Sequence, residues 1–164
     1  MDLDRQLSTA HHVVLVGGAA MIVEFGADRA TRDVDVLVLQ GELGEFRRAV
    51  GAVAARHGLP EDWVNEAAKG LADILPPDFQ DRLSPLPVPL QKLRVSVVGL
   101  PEMVALKIVA LREQDMEDLE ILLPRLSESD RRTVISTMHH VARFRPDWAQ
   151  KIRYFLEEQG WEVG

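Results

Sequence analysis

Between Val13 and Leu39 the chain runs VVLVGGAAMIVEFGADRATRDVDVLVL. A β-branched apolar run, a Gly-Gly turn, a short apolar helix, a polar loop and a second β-branched run follow one another. That order reads as strand, turn, helix, loop, strand. The second strand is expected to open with Asp33-Val34-Asp35. Side chains alternate across a strand, so residues two apart share a face. Asp33 and Asp35 are therefore expected to point together, with Val34 and Val36 on the opposite face. Paired carboxylates repel each other unless a cation stands between them. Mg²⁺ (or Mn²⁺) suits such oxygen donors and draws further ligands from substrate phosphates. Gly17 and Gly18 carry no Cβ and sit where a helix begins, which leaves backbone N–H groups open to an anion. The two features together imply a metal–nucleotide site.

Composition narrows the remaining classes. The 164 residues suit a single domain, residues 1–164, with one sizeable core. The longest apolar run, Val13 to Val23, is broken by Gly17 and Gly18 and is too short to span a bilayer. The opening MDLDRQLSTAHH is polar and acidic, unlike a signal peptide. The chain has no cysteine, which excludes disulfides and thiolate zinc sites and fits a cytoplasmic protein. A net charge of −7 argues against broad, non-specific nucleic-acid binding and leaves room for a local basic patch around an RNA end. His11-His12 and His139-His140 are adjacent pairs whose neighbours point apart, without the spacing of a zinc site.

The rest of the chain divides into elements. Leu3 to His12 predicts a leading helix or arm, and His12 to Val16 the first strand. Ala19 to Phe25 predicts a helix closed by Gly26, and Val34 to Leu39 the second strand. Leu43 to His57 is amphipathic through Phe46, Val50, Val53 and Ala54, with Gly58 at its end. Trp63 to Ala67 fits neither pattern. Pro76 to Pro89 holds five prolines and predicts an irregular, ordered or lid-like connection. Leu93 to Val98 reads as a strand, and Pro101 as the first position of a helix. A break near Gln114-Asp115 leads to a helix over Met116 to Leu123. Ser127 caps another over Ser127 to Val141, and Pro146 to Gln159 makes the last, closed by Gly160. The expected fold class is α/β (α+β): a small mixed sheet with helices on it over residues 1–99, and a helical part over 100–164.

The residues also carry a resemblance. Gly17, Gly18, Arg29, Thr31, Asp33 and Asp35 make G-G followed by R-x-T-x-D-V-D. The pattern resembles the polymerase-β-type nucleotidyltransferase superfamily, and most closely its small bacterial AbiEii-like members. A later block, LKIVALREQDMEDLEIL from Leu106 to Leu122, resembles that group's K-h-x-A-h…D-x-x-D-h. The resemblance implies Asp33 and Asp35 as metal ligands, and Gly17, Gly18, Arg29, Thr31 and Lys107 as nucleotide contacts. It implies Asp33, Asp35, Lys107 and Asp115 as the catalytic set. ATP or another NTP would be the donor. The acceptor would be an RNA end such as tRNA, a protein hydroxyl or a small molecule. A cognate antitoxin, or a second copy of the chain, would be a partner.

Each candidate has a plainer reading. Gly17-Gly18 is equally a tight turn, and Arg29 and Arg32 are equally solvated charge. Lys107 is the only charged residue from Met103 to Leu111, so it is either buried with a partner or snorkelling from a sheet edge. Asp115 and Asp118 compete for the family's later acid, and Asp115 is also a candidate helix N-cap. The strand Arg94-Val95-Ser96-Val97-Val98 lacks the third acid that many polymerase-β-type enzymes carry, and Gln114 stands where the family often has arginine. Asp62, Glu66 or Asp115 would have to replace that acid. Two rivals to the enzyme follow: a catalytically weak interaction module, and a sensor that binds NTP without turnover. A Rossmann reading fails for want of G-x-G-x-x-G.

Overall fold

The computed structural model describes residues 2–66, 70 and 74–161. In chain order, α1 (Asp2–Gln6) leads to β1 (His11–Leu15), α2 (Gly17–Val23), β2 (Val34–Gln40) and α3 (Leu43–His57). β3 (Val64–Asn65), a 3₁₀ turn over Phe79–Arg82, β4 (Ser84–Pro85) and β5 (Leu93–Val97) follow. The helices α4 (Leu100–Ala110), α5 (Glu113–Leu122), α6 (Glu128–Phe144) and α7 (Pro146–Glu158) complete the order. The chain forms two compact units. One takes Met1–Gly70 with Gln80–Val98, and the other takes Leu71–Phe79 with Gly99–Gly164.

The first unit is built on a mixed five-stranded sheet in the order β3-β2-β1-β5-β4. β1 is central because its Val13, Val14 and Leu15 are buried on both faces. It pairs antiparallel with β2 and parallel with β5. α3 buries Phe46, Ala49, Val50, Val53 and Ala54, the three-and-four spacing of an amphipathic helix. Glu42 caps its start by accepting from the backbone N–H of Gly44 and Glu45, and Gly58 closes it at φ +63°. The start of the chain is tied down by carboxylates. Asp4 accepts from the backbone N–H of Lys92, Leu93 and Gln91, and Glu45 accepts from the hydroxyls of Ser8 and Thr9. His11 fills a slot over Gly41, stacked on Phe46, with Nδ1 3.0 Å from the Thr9 carbonyl and Nε2 3.1 Å from that of Glu42.

The second unit is helical. α4 is apolar nearly all round, and every residue from Pro101 to Val109 is buried. It packs against α5, α6 and α7. Ser127 and Asp130 cap α6 reciprocally, as the spacing predicts. Among the described residues no helix is long and apolar enough to cross a membrane.

Several boundaries differ from the sequence reading. α1 stops at Gln6 because His11 already pairs with Leu93 of β5. α2 starts at Gly17, so the glycine pair is its first turn, not a preceding loop. β2 opens at Val34, one residue after Asp33. The proline-rich stretch holds regular structure after all: Pro85 lies in β4, at the sheet edge, where its missing N–H interrupts no ladder. The break after α4 falls at Leu111-Arg112, ahead of the expected Gln114-Asp115. Val64 and Asn65 of the ambiguous stretch form β3, and its Ala67 lies outside the described residues.

Candidate functional site

The polar loop before β2 folds back onto the start of α2. Val16 N–H donates to the Asp35 carbonyl at 3.0 Å, which sets Asp35 beside the β1–α2 junction. Gly17 takes φ +61°, a conformation that side chains disfavour. A Cβ there would lie 2.5 Å from Asp35 Oδ2, so the carboxylate occupies the space that the missing side chain leaves. At Gly18 a Cβ would lie 2.9 Å from Thr31 Oγ1 and 3.9 Å from a guanidinium nitrogen of Arg29. Thr31 Oγ1 donates to the Asp33 carbonyl at 3.0 Å, which holds the bend before the strand. The structure thus gathers Gly17, Gly18, Arg29, Thr31 and Asp35 around one backbone cradle.

Asp33 is exposed and stands outside β2, so strand alternation alone does not align it with the half-buried Asp35. Asn65 of β3 is in register with Asp35. Neighbours paired in register share a face, so Asn65 places an amide at the side of the acid. Of the candidates for a third acid, Glu66 receives Arg47 Nε and a terminal guanidinium nitrogen at 2.9 Å each, and Asp62 is exposed. Trp63 gives its indole N–H to the Val50 carbonyl at 3.1 Å and is half-buried, as a packing residue would be. On β5, the buried Ser96 hydroxyl lies 2.9 Å from His12 Nε2. Burial, with Arg94 nearby, pushes His12 below the usual histidine range.

The donor set fits a hard cation. Asp35 offers carboxylate oxygens at the Gly17–Gly18 cradle with the Arg29 guanidinium beside Gly18, and Asp33 is the next acid in the chain before it. Among the described residues no three His, Cys, Asp or Glu side chains stand close enough to hold an ion unaided. Mg²⁺ commonly binds one or two carboxylates and takes its other ligands from phosphate and water, so a three-acid cluster is not a requirement for it.

The second unit holds a separate cluster. Lys107 Nζ lies 2.8 Å from Asp115 Oδ1 and 2.6 Å from Asp118 Oδ2, and all three are at least 95 % buried, with exposures of 5 %, 1 % and 1 %. Asp115 and Asp118 both pair with Lys107. Asp115 is not the N-cap, which is Arg112. It sits in the first turn of α5 and accepts from the Arg112 backbone N–H at 3.0 Å and from Arg112 Nε at 2.8 Å. Burial raises the Asp115 carboxyl, but hydrogen bonds from Arg112 and Lys107 outweigh it and hold the group below the usual range. The sequence reading missed Arg112, although Arg112-x-x-Asp115 at a helix start has capping-box spacing.

Residues 2–144 match one protein-family model, described as "Nucleotidyltransferase of unknown function (DUF6036)". No curated protein and no solved structure matches the chain.

Proposed function

This chain belongs to the DUF6036 nucleotidyltransferase family, and on that premise we propose that the cradle at Gly17–Gly18 binds an NTP with Mg²⁺ and that the enzyme moves NMP to an acceptor hydroxyl. The observation that carries the reading is the close fit at the two glycines, where Asp35 and Thr31 occupy the space of both missing side chains. A triphosphate needs bare backbone on one side and a carboxylate-held cation on the other.

The roles follow from the geometry. Asp33 and Asp35 would hold the ion, which when bound neutralises charge on the triphosphate. Gly17 and Gly18 let phosphate approach the main chain, and Arg29 clamps phosphate with its planar fork. Thr31 fixes the Asp33 backbone. In the reaction the acceptor oxygen forms a bond to the α-phosphorus, the bond to the β-phosphate oxygen breaks, and pyrophosphate leaves. The hydroxyl proton passes to solvent or to a carboxylate of the site. Lys107 and Asp115, the remaining members of the proposed catalytic set, act as a buried charged cluster. Lys107 is held by Asp115 and Asp118, so its positive charge is already balanced within that cluster. The likeness to AbiEii-like enzymes extends the reading to a tRNA or protein acceptor and to an antitoxin partner.

The test is isothermal titration of each NTP, with and without Mg²⁺, on the wild type and on Asp33→Asn/Asp35→Asn. The expected result is metal-dependent binding that disappears in the variant, with pyrophosphate released once an acceptor is supplied. Absence of binding to every NTP overturns the reading. The β5 strand carries Ser96 in place of an acid, which favours a second reading as a nucleotide sensor or weakly active interaction module. Mg²⁺-dependent binding without pyrophosphate release selects that one.

A further inference from the structure

One face of α6 carries a groove of about 470 Å³ lined by Arg132, Ile135, Ser136, His139, His140 and Arg143. Among the described residues no Asp or Glu lines it. The chain as a whole has a net charge of −7, yet from Arg131 to Arg145 the sequence has four arginines, two histidines and no acid. Arg132, Ser136, His140 and Arg143 recur at helical spacing and are exposed. At 1.5 Å per residue the stripe from Arg132 to Arg143 is about 16 Å long. Glu128, at the start of α6, lies 3.9 Å from Arg132 and 3.7 Å from Arg131, with both Glu128 and Arg132 about two-thirds exposed. Within the groove, His139 Nε2 is buried and has no hydrogen-bond partner.

An aromatic ring stands at the end of this stripe. Phe144 is 70 % exposed and packs on the His140 ring, with centroids 4.7 Å apart. Most of this ring stands open to water beside the arginines. Cationic side chains along a backbone path, interleaved with open rings, are the pattern that single-stranded nucleic acids use: phosphates pair with arginine and bases stack on the rings. An acidic peptide would use the arginines and leave the rings idle. A duplex would keep its bases stacked on each other.

We infer that the α6 face from Arg132 to Phe144 binds a single-stranded nucleic acid, with phosphates on Arg132 and Arg143 and a base on the His140–Phe144 rings. This rests on α6 alone and not on the transferase reading. If that reading holds, the strand is the natural acceptor.

Fluorescence anisotropy of an end-labelled oligouridylate on the full chain tests it, with a duplex, a poly-glutamate peptide and inorganic polyphosphate as competitors. The strand is expected to bind and to weaken as salt rises. Arg132→Gln/Arg143→Gln should flatten the slope of log affinity against log salt by about 1.4, since each phosphate lost from a single strand removes about 0.7. Phe144→Ala should weaken binding about tenfold, the loss of one stacked base. Asp33→Asn/Asp35→Asn should bind the strand like the wild type, which separates this surface from the nucleotide site. These side chains are exposed, so circular dichroism melts should superimpose on the wild type. No binding at low salt, an unchanged salt slope, or equal competition by duplex, peptide or polyphosphate would each overturn the inference.

Discussion

Gly17 and Gly18 hold side chains closer to the main chain than any other residue type permits. Adding a Cβ at 17 both strains a φ of +61° and meets Asp35 Oδ2 at 2.5 Å. Gly17→Ala is expected to lose about 1–2 kcal/mol from the backbone alone, and to weaken Mg²⁺-dependent NTP binding further by displacing Asp35. Gly18→Ala meets Thr31 Oγ1 at 2.9 Å and Thr31 Cβ at 3.3 Å but has no positive φ to strain, so its loss should be smaller. Urea unfolding of both variants gives the order directly, and the reverse order would contradict the cradle. The glycine pair and the acids were legible as a spacing. What the spacing could not show is that Asp35 and Thr31 fill the two gaps, because that depends on how the loop over residues 24–33 folds back.

At the scale of elements, the corner between α4 and α5 is an ionic joint. Lys107→Met would leave Asp115 and Asp118 buried without their shared cation, and removal of one partner from a buried pair costs about 3–5 kcal/mol. The expected outcome is a large drop in the urea midpoint; a change near zero would mean that the cluster is solvated. Asp115 also predicts a pH response. Its folded carboxyl is held below the ordinary value, so its contribution is present above that value and is lost as pH falls through the lowered one. Amide protection factors in α5, which correct for the intrinsic pH dependence of exchange, should therefore fall below about pH 4, and unchanged protection would argue against the joint. Lys107 was legible as an anomaly, a single charge in an apolar helix. The position of the break was not, because Leu111 takes φ +48° with neither glycine nor proline to announce it. Capped helices fared better: α3 ends where Gly58 says it should, and α6 begins after Ser127. The short strand β4 was hidden by its proline, which suits only a sheet edge.

At the largest scale, three lowered carboxylates tie the start of the chain to the rest of the first unit. The His57 side chain lowers Asp2. Burial raises Asp4, but backbone N–H groups of Lys92, Leu93 and Gln91 bring it below the usual range. The Ser8 and Thr9 hydroxyls bring Glu45 down to about 2. Each group folds with a depressed pKa, so each adds stability above its unfolded value and surrenders it as pH falls. The urea midpoint should be lower at pH 3 than at pH 7, and an equal midpoint would refute these joints. A mixed sheet with helices was legible at this scale because the period-two and period-3.6 patterns are strong in β1, β2 and α3. The basic face of α6 was not, because a net charge averages over surfaces. The slot at Gly41 has a consequence for how this chain can vary. Its φ is +108°, and a Cβ would lie 2.1 Å from the His11 ring. In a library of variants, positions 11 and 41 should be coupled: a side chain at 41, strained by its φ in every background, escapes the clash only in members that have already reduced the residue at 11.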